Sequence, residues 1–200
     1  MADQKAEQNG SQRPLPRLLA TLRNEVGPQM IQEFGYTSPM QVPSLEKIVM
    51  NIGMGEALQN ARAMEAATAD LTAISGQKPL VTRAKRSIAQ FKIRDGMPIG
   101  LTVTLRGSRM WEFYDRLVNS ALPRIRELQG VSRTRSTAGG ITLLGLRDQV
   151  IFPEIDYNAI DRLRGLQVVI VTTAPNDQEG LRLLELLGMP FARTRDPMLV

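Results

Sequence analysis

Residues 101–106, with the sequence Leu-Thr-Val-Thr-Leu-Arg, alternate strictly between apolar and polar side chains. Alternation with a period of two predicts a β-strand that is buried on one face only. The three apolar residues of this stretch are therefore predicted to face a core, while Thr102, Thr104 and Arg106 face outward. This polar outward face can donate hydrogen bonds.

Helices and strands are predicted to be interspersed on both sides of this stretch. Strands are predicted at residues 45–52, 142–146 and 167–173, and extended pieces at 79–82 and 87–93. Apolar residues at helical spacing predict helices over 18–31, 58–74, 110–122 and 181–187, with Asn176 and Glu179 at the spacing of a capping box before the last one. The predicted fold class is α+β: a mostly antiparallel β-sheet flanked by α-helices, in a single domain with a protruding basic loop. The predicted domain spans 14–191, between a flexible polar tail at 1–13 and a second tail at 192–200.

Composition excludes several classes of function. The 200 residues are 42% hydrophobic, which predicts a globular fold, and they include neither cysteine nor histidine. Disulfides, thiolate metal sites and histidine acid–base chemistry are therefore excluded, and neither a metal nor another cofactor is predicted.

The N-terminus lacks the apolar segment of a signal peptide, and no apolar run is long enough to span a bilayer. We therefore expect a cytoplasmic protein without a membrane partner.

The positive charge is concentrated in one short stretch. The chain has a net charge of +5, yet residues 77–94 contain six basic residues and no acidic one. The remainder holds 19 basic and 20 acidic residues, so it is nearly neutral. Thr82, Ser87 and Gln90 add polar donors, and Phe91 is expected either to pack beneath the loop or to lie against a ribose. Cations beside hydroxyl and amide groups are typical of phosphate and sugar recognition, so the stretch predicts nucleic-acid binding.

Two other patterns are candidates for catalytic sites. Gly53-Met54-Gly55 follows a predicted strand, as in dinucleotide-binding proteins, but Leu58 stands where the third glycine of that motif belongs. Glu154 and Asp156 form a carboxylate pair without evident partners. Two alternatives stay open on the residues alone: a small α+β enzyme that uses Gly53–Gly55 for a phosphate-bearing ligand, and an RNA chaperone.

Several motifs in order resemble the bacterial large-subunit ribosomal protein L-five family. The resemblance covers about residues 17–191. It is carried by Gln41-Val42-Pro43, Val49-Met50-Asn51-Ile52-Gly53, Gly76-Gln77-Lys78-Pro79, the segment 82–89 (Thr-Arg-Ala-Lys-Arg-Ser-Ile-Ala), Gly96-Met97-Pro98-Ile99-Gly100, Val103-Thr104-Leu105-Arg106-Gly107, Leu122-Pro123-Arg124, Ile151-Phe152-Pro153-Glu154-Ile155-Asp156, the segment 169–174, and Gly188-Met189-Pro190-Phe191.

The resemblance implies a structural, non-enzymatic component of the large ribosomal subunit. Such a protein is expected to bind 5S rRNA and to help attach it to 23S rRNA in the central protuberance. Other implied partners are P-site tRNA, a small-subunit head protein of the S-thirteen family, and other 5S-associated large-subunit proteins. Family positions for 5S rRNA match Asn51, Gln77 and Thr104, and we add Arg106 from its place on the same strand face.

The remaining site residues fall into two groups. The loop that faces tRNA in the family matches Arg83, Lys85, Arg86, Ser87, Gln90 and Phe91. Further candidates for RNA contact or for an intersubunit bridge are Lys78, Lys92, Arg94, Arg133 and Arg135. One departure from the family lies at residues 136–145, where the usual Phe-Asp-Gly-Arg-Gly-Asn-Tyr-Thr-Leu-Gly is replaced by Ser-Thr-Ala-Gly-Gly-Ile-Thr-Leu-Leu-Gly.

Overall fold

A single antiparallel sheet organises the chain. The computed structural model describes residues 15–58, 60–125, 130–131, 136–137, 140–156, 160 and 162–192. In this part of the chain the sheet has the strand order β2-β3-β1-β6-β5-β4, and every neighbouring pair is antiparallel. The strands are β1 (Leu45–Gly53), β2 (Leu80–Arg83), β3 (Pro98–Leu105), β4 (Ser136–Thr137), β5 (Ile141–Leu146) and β6 (Leu166–Thr172).

The helices connect these strands. Helix α1 (Arg17–Thr21) continues through a π-helical turn (Leu22–Val26) into α2 (Gly27–Phe34), and α3 (Ala61–Ser75) joins β1 to β2. Helix α4 (Gly107–Arg116) continues through a second π-helical turn (Leu117–Ala121) and a 3₁₀ turn (Leu122–Arg124), and α5 is Asp177–Leu186. Further 3₁₀ turns lie at Pro39–Gln41, Gly55–Leu58, Ala89–Phe91 and Gln149–Ile151. None of the helices in the described ranges is long and apolar enough to cross a membrane.

The core lies between one face of the sheet and the helices. The alternation predicted for β1 and β3 is confirmed, because Ile48, Met50 and Ile52 are buried, as are the apolar residues of 101–105. Buried side chains of α3, α4 and α5 join them in one cluster. Each fully buried large aliphatic side chain contributes about 1.5–3 kcal/mol, so this one-sided burial holds the helices against the sheet.

The other face of the sheet is left open by the described helices. Cross-strand register places Val49, Asn51, Thr102, Thr104 and Gln167 on this outer face, and all five are only partly buried. The α+β class and the antiparallel sheet are therefore confirmed, with the helices in one layer behind it. Residues 1–13 and 193–200, which belong to the predicted tails, lie outside the described residues.

Two predicted helix ends were confirmed, whereas two other local predictions were not. Gly35 and Gly76 end α2 and α3 in left-handed conformations, with φ of +69° and +68°. The prediction of an extended piece at 87–93 was wrong, because a 3₁₀ turn occupies its centre. The predicted capping box is also different: Asn176 is the N-cap of α5, but its side chain donates to the Glu179 carboxylate rather than capping the backbone.

Candidate nucleic-acid interface

The outer face of the sheet carries polar side chains where β1 and β3 meet. Asn51 lies opposite Thr102 in the antiparallel register, and Thr104 lies opposite Val49. Asn51 and Thr104 are thus diagonal neighbours, close enough to contact one ligand. Gln77 reaches the same strand from the connection between α3 and β2, because its Nε2 donates to the Thr104 carbonyl at 3.0 Å. The structure therefore brings together the three residues that the sequence grouped; we call Asn51, Gln77, Thr102 and Thr104 the polar end of the sheet.

The turn that carries Gln77 is ordered by its neighbours. Gly76 adopts a left-handed conformation that a side chain would disfavour, and this ends α3 directly before Gln77. The backbone N–H of Gln77 then donates to the hydroxyl of the buried Ser75 at 3.2 Å. A helix C-cap and a serine thus fix the backbone from which Gln77 extends toward β3.

Thr102 was predicted to face outward but was not assigned to the site. It lies between Asn51 on β1 and Leu80 on β2, and its hydroxyl donates to the Met50 carbonyl at 3.2 Å. The signal that could have found it was present, since Thr102 and Thr104 share the alternating face of one strand.

The basic loop is a hairpin extension of β2 and β3, which we call the basic hairpin (residues 83–97). The Ala84 N–H donates to the Met97 carbonyl at 2.8 Å, and the Gly96 N–H donates to the Ala84 carbonyl at 3.0 Å. Further out, Ile88 and Ile93 form a two-way bridge with N–O distances of 2.9 and 3.2 Å. The hairpin is thus a hydrogen-bonded arm rather than an irregular loop.

The side chains of this arm are presented to solvent. The predicted cations and polar donors are exposed: Arg83, Lys85, Arg86, Ser87, Gln90, Lys92 and Arg94. Phe91 is 62% exposed, so the alternative in which it packs beneath the loop was wrong. Lys92 has a φ of +54°, the one non-glycine residue of the described chain with a positive value. That conformation reverses the chain at the end of the 3₁₀ turn.

The cations of the basic hairpin have no acidic partners among the described residues. Among the salt bridges of the described chain, none includes Lys78, Lys85, Arg86, Lys92 or Arg94. Arg83 is held by its own hairpin, because its guanidinium donates to the Gly96 carbonyl at 2.9 Å. Asp95 is the single acid between residues 77 and 107, and it forms no salt bridge with a described residue. Positive charge therefore remains available for a polyanion.

Several basic residues behind the sheet are paired instead. They lie in the helices, or at Arg162 and Arg164, which contact the 3₁₀ turn Gly55–Leu58 and α3; we call this part of the molecule the helical layer. Arg17 contacts Asp115 at 2.6 Å, and Arg182 contacts Glu33 at 2.5 Å. Arg164, which is 5% exposed at its side chain, contacts Glu56 at 2.7 Å. The same part of the molecule holds further ion pairs: Arg162 with Glu56, Arg116 with Glu154, Arg164 with Asp70, and Arg182 with Glu185.

Ion pairing lowers the pKa of three of these carboxyls. A hydrogen bond from Arg182 lowers the pKa of Glu33, and one from Arg164 lowers the pKa of Glu56. A hydrogen bond from Arg17 likewise lowers the pKa of Asp115. In each case the guanidinium stabilises the charged carboxylate.

The other predicted cations are placed differently. Strand β3 ends at Leu105, so Arg106 lies just beyond the strand as the exposed N-cap residue of α4. Its assignment to the strand itself was wrong by one residue, although its backbone is still extended. Lys78 is exposed beside Gln77. Arg133 and Arg135, with the predicted bridge segment around them, lie outside the described residues.

The two sequence patterns that were considered as catalytic sites, at Gly53–Gly55 and at Glu154, lie in structural positions of the fold. Gly53 ends β1, and a 3₁₀ turn (Gly55–Leu58) separates it from α3, so the glycines do not lead directly into a helix N-terminus. Dinucleotide-binding motifs need that direct entry to place phosphate on the helix. Glu154 forms an ion pair with Arg116. No cluster of acidic side chains suited to a metal occurs in the described ranges.

An exposed basic arm beside a polar sheet face is the arrangement of an RNA-binding protein, and comparison with known proteins gives the family. Residues 38–94 match the family model described as ribosomal protein L5, and residues 98–191 match the model that describes the C-terminus of the same ribosomal family.

Relatives match over nearly their whole length. The large ribosomal subunit protein uL5 of Roseiflexus castenholzii is 62% identical over 177 residues, covering 88% of this chain and 98% of the relative. The proteins of the same name from Herpetosiphon aurantiacus and a Thermoanaerobacter species are 59% and 58% identical, over 88% and 90% of this chain and 99% and 100% of their own lengths. The chain belongs to the ribosomal protein L5 family. Membership makes it a structural protein of the large ribosomal subunit rather than an enzyme.

Proposed function

We propose that this ribosomal protein binds 5S rRNA through the polar end of the sheet and helps attach it to 23S rRNA in the central protuberance. The observation that supports this most directly is the convergence of Asn51, Gln77 and Thr104, which come from three separate segments of the chain. Arg106 follows β3 and adds a positive charge near this surface. The hydrogen-bonding side chains are partly exposed on an open sheet face, where RNA can be recognised by shape and by contacts to sugars and bases.

A titration with purified protein tests the 5S rRNA assignment. Binding of 5S rRNA is compared by filter retention with that of an unrelated structured RNA of equal length, at physiological salt. We expect tighter binding of 5S rRNA, because polar contacts add to the electrostatic attraction that any RNA provides. Equal affinity for both RNAs would contradict the assignment and favour the chaperone alternative.

We further propose that the basic hairpin contacts P-site tRNA. Its support is the set of exposed cations that have no acidic partner in the part of the chain that the structure describes, together with the exposed Phe91 at the 3₁₀ turn. Phosphate neutralisation supplies affinity without sequence preference, and an exposed aromatic ring can stack on a base or ribose. The hairpin extends β2 and β3 away from the polar end, so one protein can contact two RNAs at once.

The proposed contact with a small-subunit head protein of the S-thirteen family concerns a different segment. Its candidate residues Arg133 and Arg135 lie outside the described residues, so the proposal rests on the family alone. Crosslinking in assembled ribosomes tests it. A cysteine at position 135 should crosslink to a head protein of the small subunit, whereas one at Arg62, on the helical layer, should not.

A further inference from the structure

The orientation of the Gln77 side-chain amide is determined by its hydrogen-bond partner. Its partner is the Thr104 backbone carbonyl, which can only accept a hydrogen bond. The NH₂ group of Gln77 must therefore face Thr104, and the exchanged orientation would bring two acceptor oxygens together. The Gln77 Oε1 atom is consequently held away from the Thr104 carbonyl.

That oxygen remains available for a ligand. In the described chain, Gln77 Oε1 accepts no hydrogen bond, and it is absent from the set of fully buried side-chain atoms without a partner. It is thus accessible to solvent on a half-buried side chain. The second N–H of the amide stays free as well, so Gln77 offers one acceptor and one donor.

Thr102 is constrained in the same sense. Its hydroxyl has one proton, and the Met50 carbonyl, which can only accept, takes it at 3.2 Å. The lone pairs of the hydroxyl oxygen are what Thr102 has left for a ligand. Gln77 thus donates to a backbone carbonyl of β3, and Thr102, which lies on β3, donates to a backbone carbonyl of β1. Each side chain therefore keeps an oxygen that can accept a hydrogen bond.

We propose that Gln77 and Thr102 read hydrogen-bond donors on the RNA, either a ribose 2′-hydroxyl or an exocyclic base amino group. The proposal rests on the proposed 5S rRNA function and states which chemistry the polar end recognises. A phosphate offers no hydrogen-bond donor, so these two acceptor oxygens, unlike the free N–H of Gln77, are unsuited to phosphate contacts. Recognition of 2′-hydroxyl groups is one way in which a protein distinguishes RNA from DNA.

Analogue interference with the full-length protein tests this chemistry and separates the two donor sources. One pool of 5S rRNA carries random 2′-deoxy substitutions. A second carries nucleoside analogues that lack the exocyclic amino group: inosine for guanosine, purine riboside for adenosine and 2-pyrimidinone riboside for cytidine. Each pool is bound to the protein and divided into bound and free fractions. We expect at least one position where the analogue weakens binding roughly 2- to 10-fold, the effect of losing one hydrogen bond.

The variants Gln77→Leu and Thr102→Val assign the position to its side chain. Each removes the acceptor while keeping nearly the same size and no charge. We expect each to bind unmodified 5S rRNA roughly 2- to 10-fold more weakly and to lose interference at its own position, since the contact is already missing. Gln90→Leu, the same exchange on the basic hairpin, is the control and should keep the wild-type pattern. Thermal melts of all variants establish that they are folded.

The outcomes distinguish this inference from the function on which it rests. If the wild-type protein does not prefer 5S rRNA, both are overturned. If it does prefer 5S rRNA but Gln77→Leu and Thr102→Val keep every interference position, only the donor-reading inference is overturned. If Gln77→Leu is unstable, Thr102→Val still decides, because Thr102 lies within β3 and its backbone pairing is retained.

Discussion

The helical layer and the basic hairpin use the same types of basic residue for opposite purposes. Behind the sheet, Arg17, Arg164 and Arg182 each contact a carboxylate that lies 98, 108 and 149 residues away in sequence, respectively. In the basic hairpin, Lys85, Arg86 and the other cations have no acidic partner in the described chain. The first group connects elements of the fold, whereas the second leaves its charge to solvent or to a ligand.

This difference shows which charged residues contribute to the stability of the fold. Exposed ion pairs contribute only about 0–1 kcal/mol each, so most of the helical layer is held by its apolar core. A buried guanidinium is different, because removing its partner leaves an uncompensated charge. The hairpin cations make no such pair among the described residues, so removing them should leave the fold intact.

The largest effect on stability is expected at Glu56 in the helical layer. The variant Glu56→Ala removes the carboxylate that lies 2.7 Å from the buried Arg164 guanidinium. We expect the free energy of unfolding to fall by about 2 kcal/mol, because the buried guanidinium loses its hydrogen-bonded carboxylate and keeps the more distant Asp70 at 3.9 Å. Urea unfolding followed by circular dichroism measures this value. A loss below about 0.5 kcal/mol would show that the pairing in this layer is not structural.

A smaller effect is expected at Arg83, where the hairpin meets the sheet. Its guanidinium donates to the Gly96 carbonyl, so Arg83→Ala should cost about 1 kcal/mol and increase amide exchange in the hairpin. Lys85→Ala, two residues further, removes a charge without a described partner and should change stability by less than about 0.5 kcal/mol. Equal losses for the two variants would contradict the distinction between held and free cations.

The pH dependence should reflect the helical layer alone. The folded pKa values of Glu33, Glu56 and Asp115 lie below their ordinary values of 4.5 and 3.8. Their stabilisation is thus complete above those ordinary values and is lost as pH falls through the lower folded ones. With no histidine or cysteine in the chain, thermal stability should stay flat from about pH 5.5 to 8 and then fall in acid. A transition near neutral pH would contradict this account.

Much of the fold could be predicted because its signals are local. The alternation at 101–105 and the glycine after α3 depend only on neighbours in sequence, and both were confirmed. The hairpin was predicted as exposed and basic from charge alone. Its internal geometry was not, because a 3₁₀ turn and the left-handed Lys92 leave no periodic pattern.

The candidate site was predicted only in part, because its residues come from segments that lie far apart in sequence. Grouping Asn51, Gln77 and Thr104 required the family resemblance, since nothing local connects a strand, a turn and another strand. The contact of Gln77 with the Thr104 carbonyl spans 27 residues and depends on the tertiary fold. The ion pairs of the helical layer likewise join residues that no sequence pattern relates. Thr102 was visible on the alternating face, but the hydrogen bond that takes its hydroxyl proton was not.

The central claim, that hairpin cations are free for RNA, is tested most directly in assembled ribosomes. Ribosomes carrying Lys85→Ala with Arg86→Ala are compared with ribosomes carrying Arg23→Ala with Arg62→Ala, the same charge change on exposed helix positions. P-site tRNA affinity is measured over a salt series, with 5S rRNA content as control. We predict that only the hairpin variant weakens tRNA binding and lowers the log–log salt slope by roughly 1.4–1.8, with 5S rRNA retained. An unchanged slope, or loss of 5S rRNA in the hairpin variant, would contradict the claim.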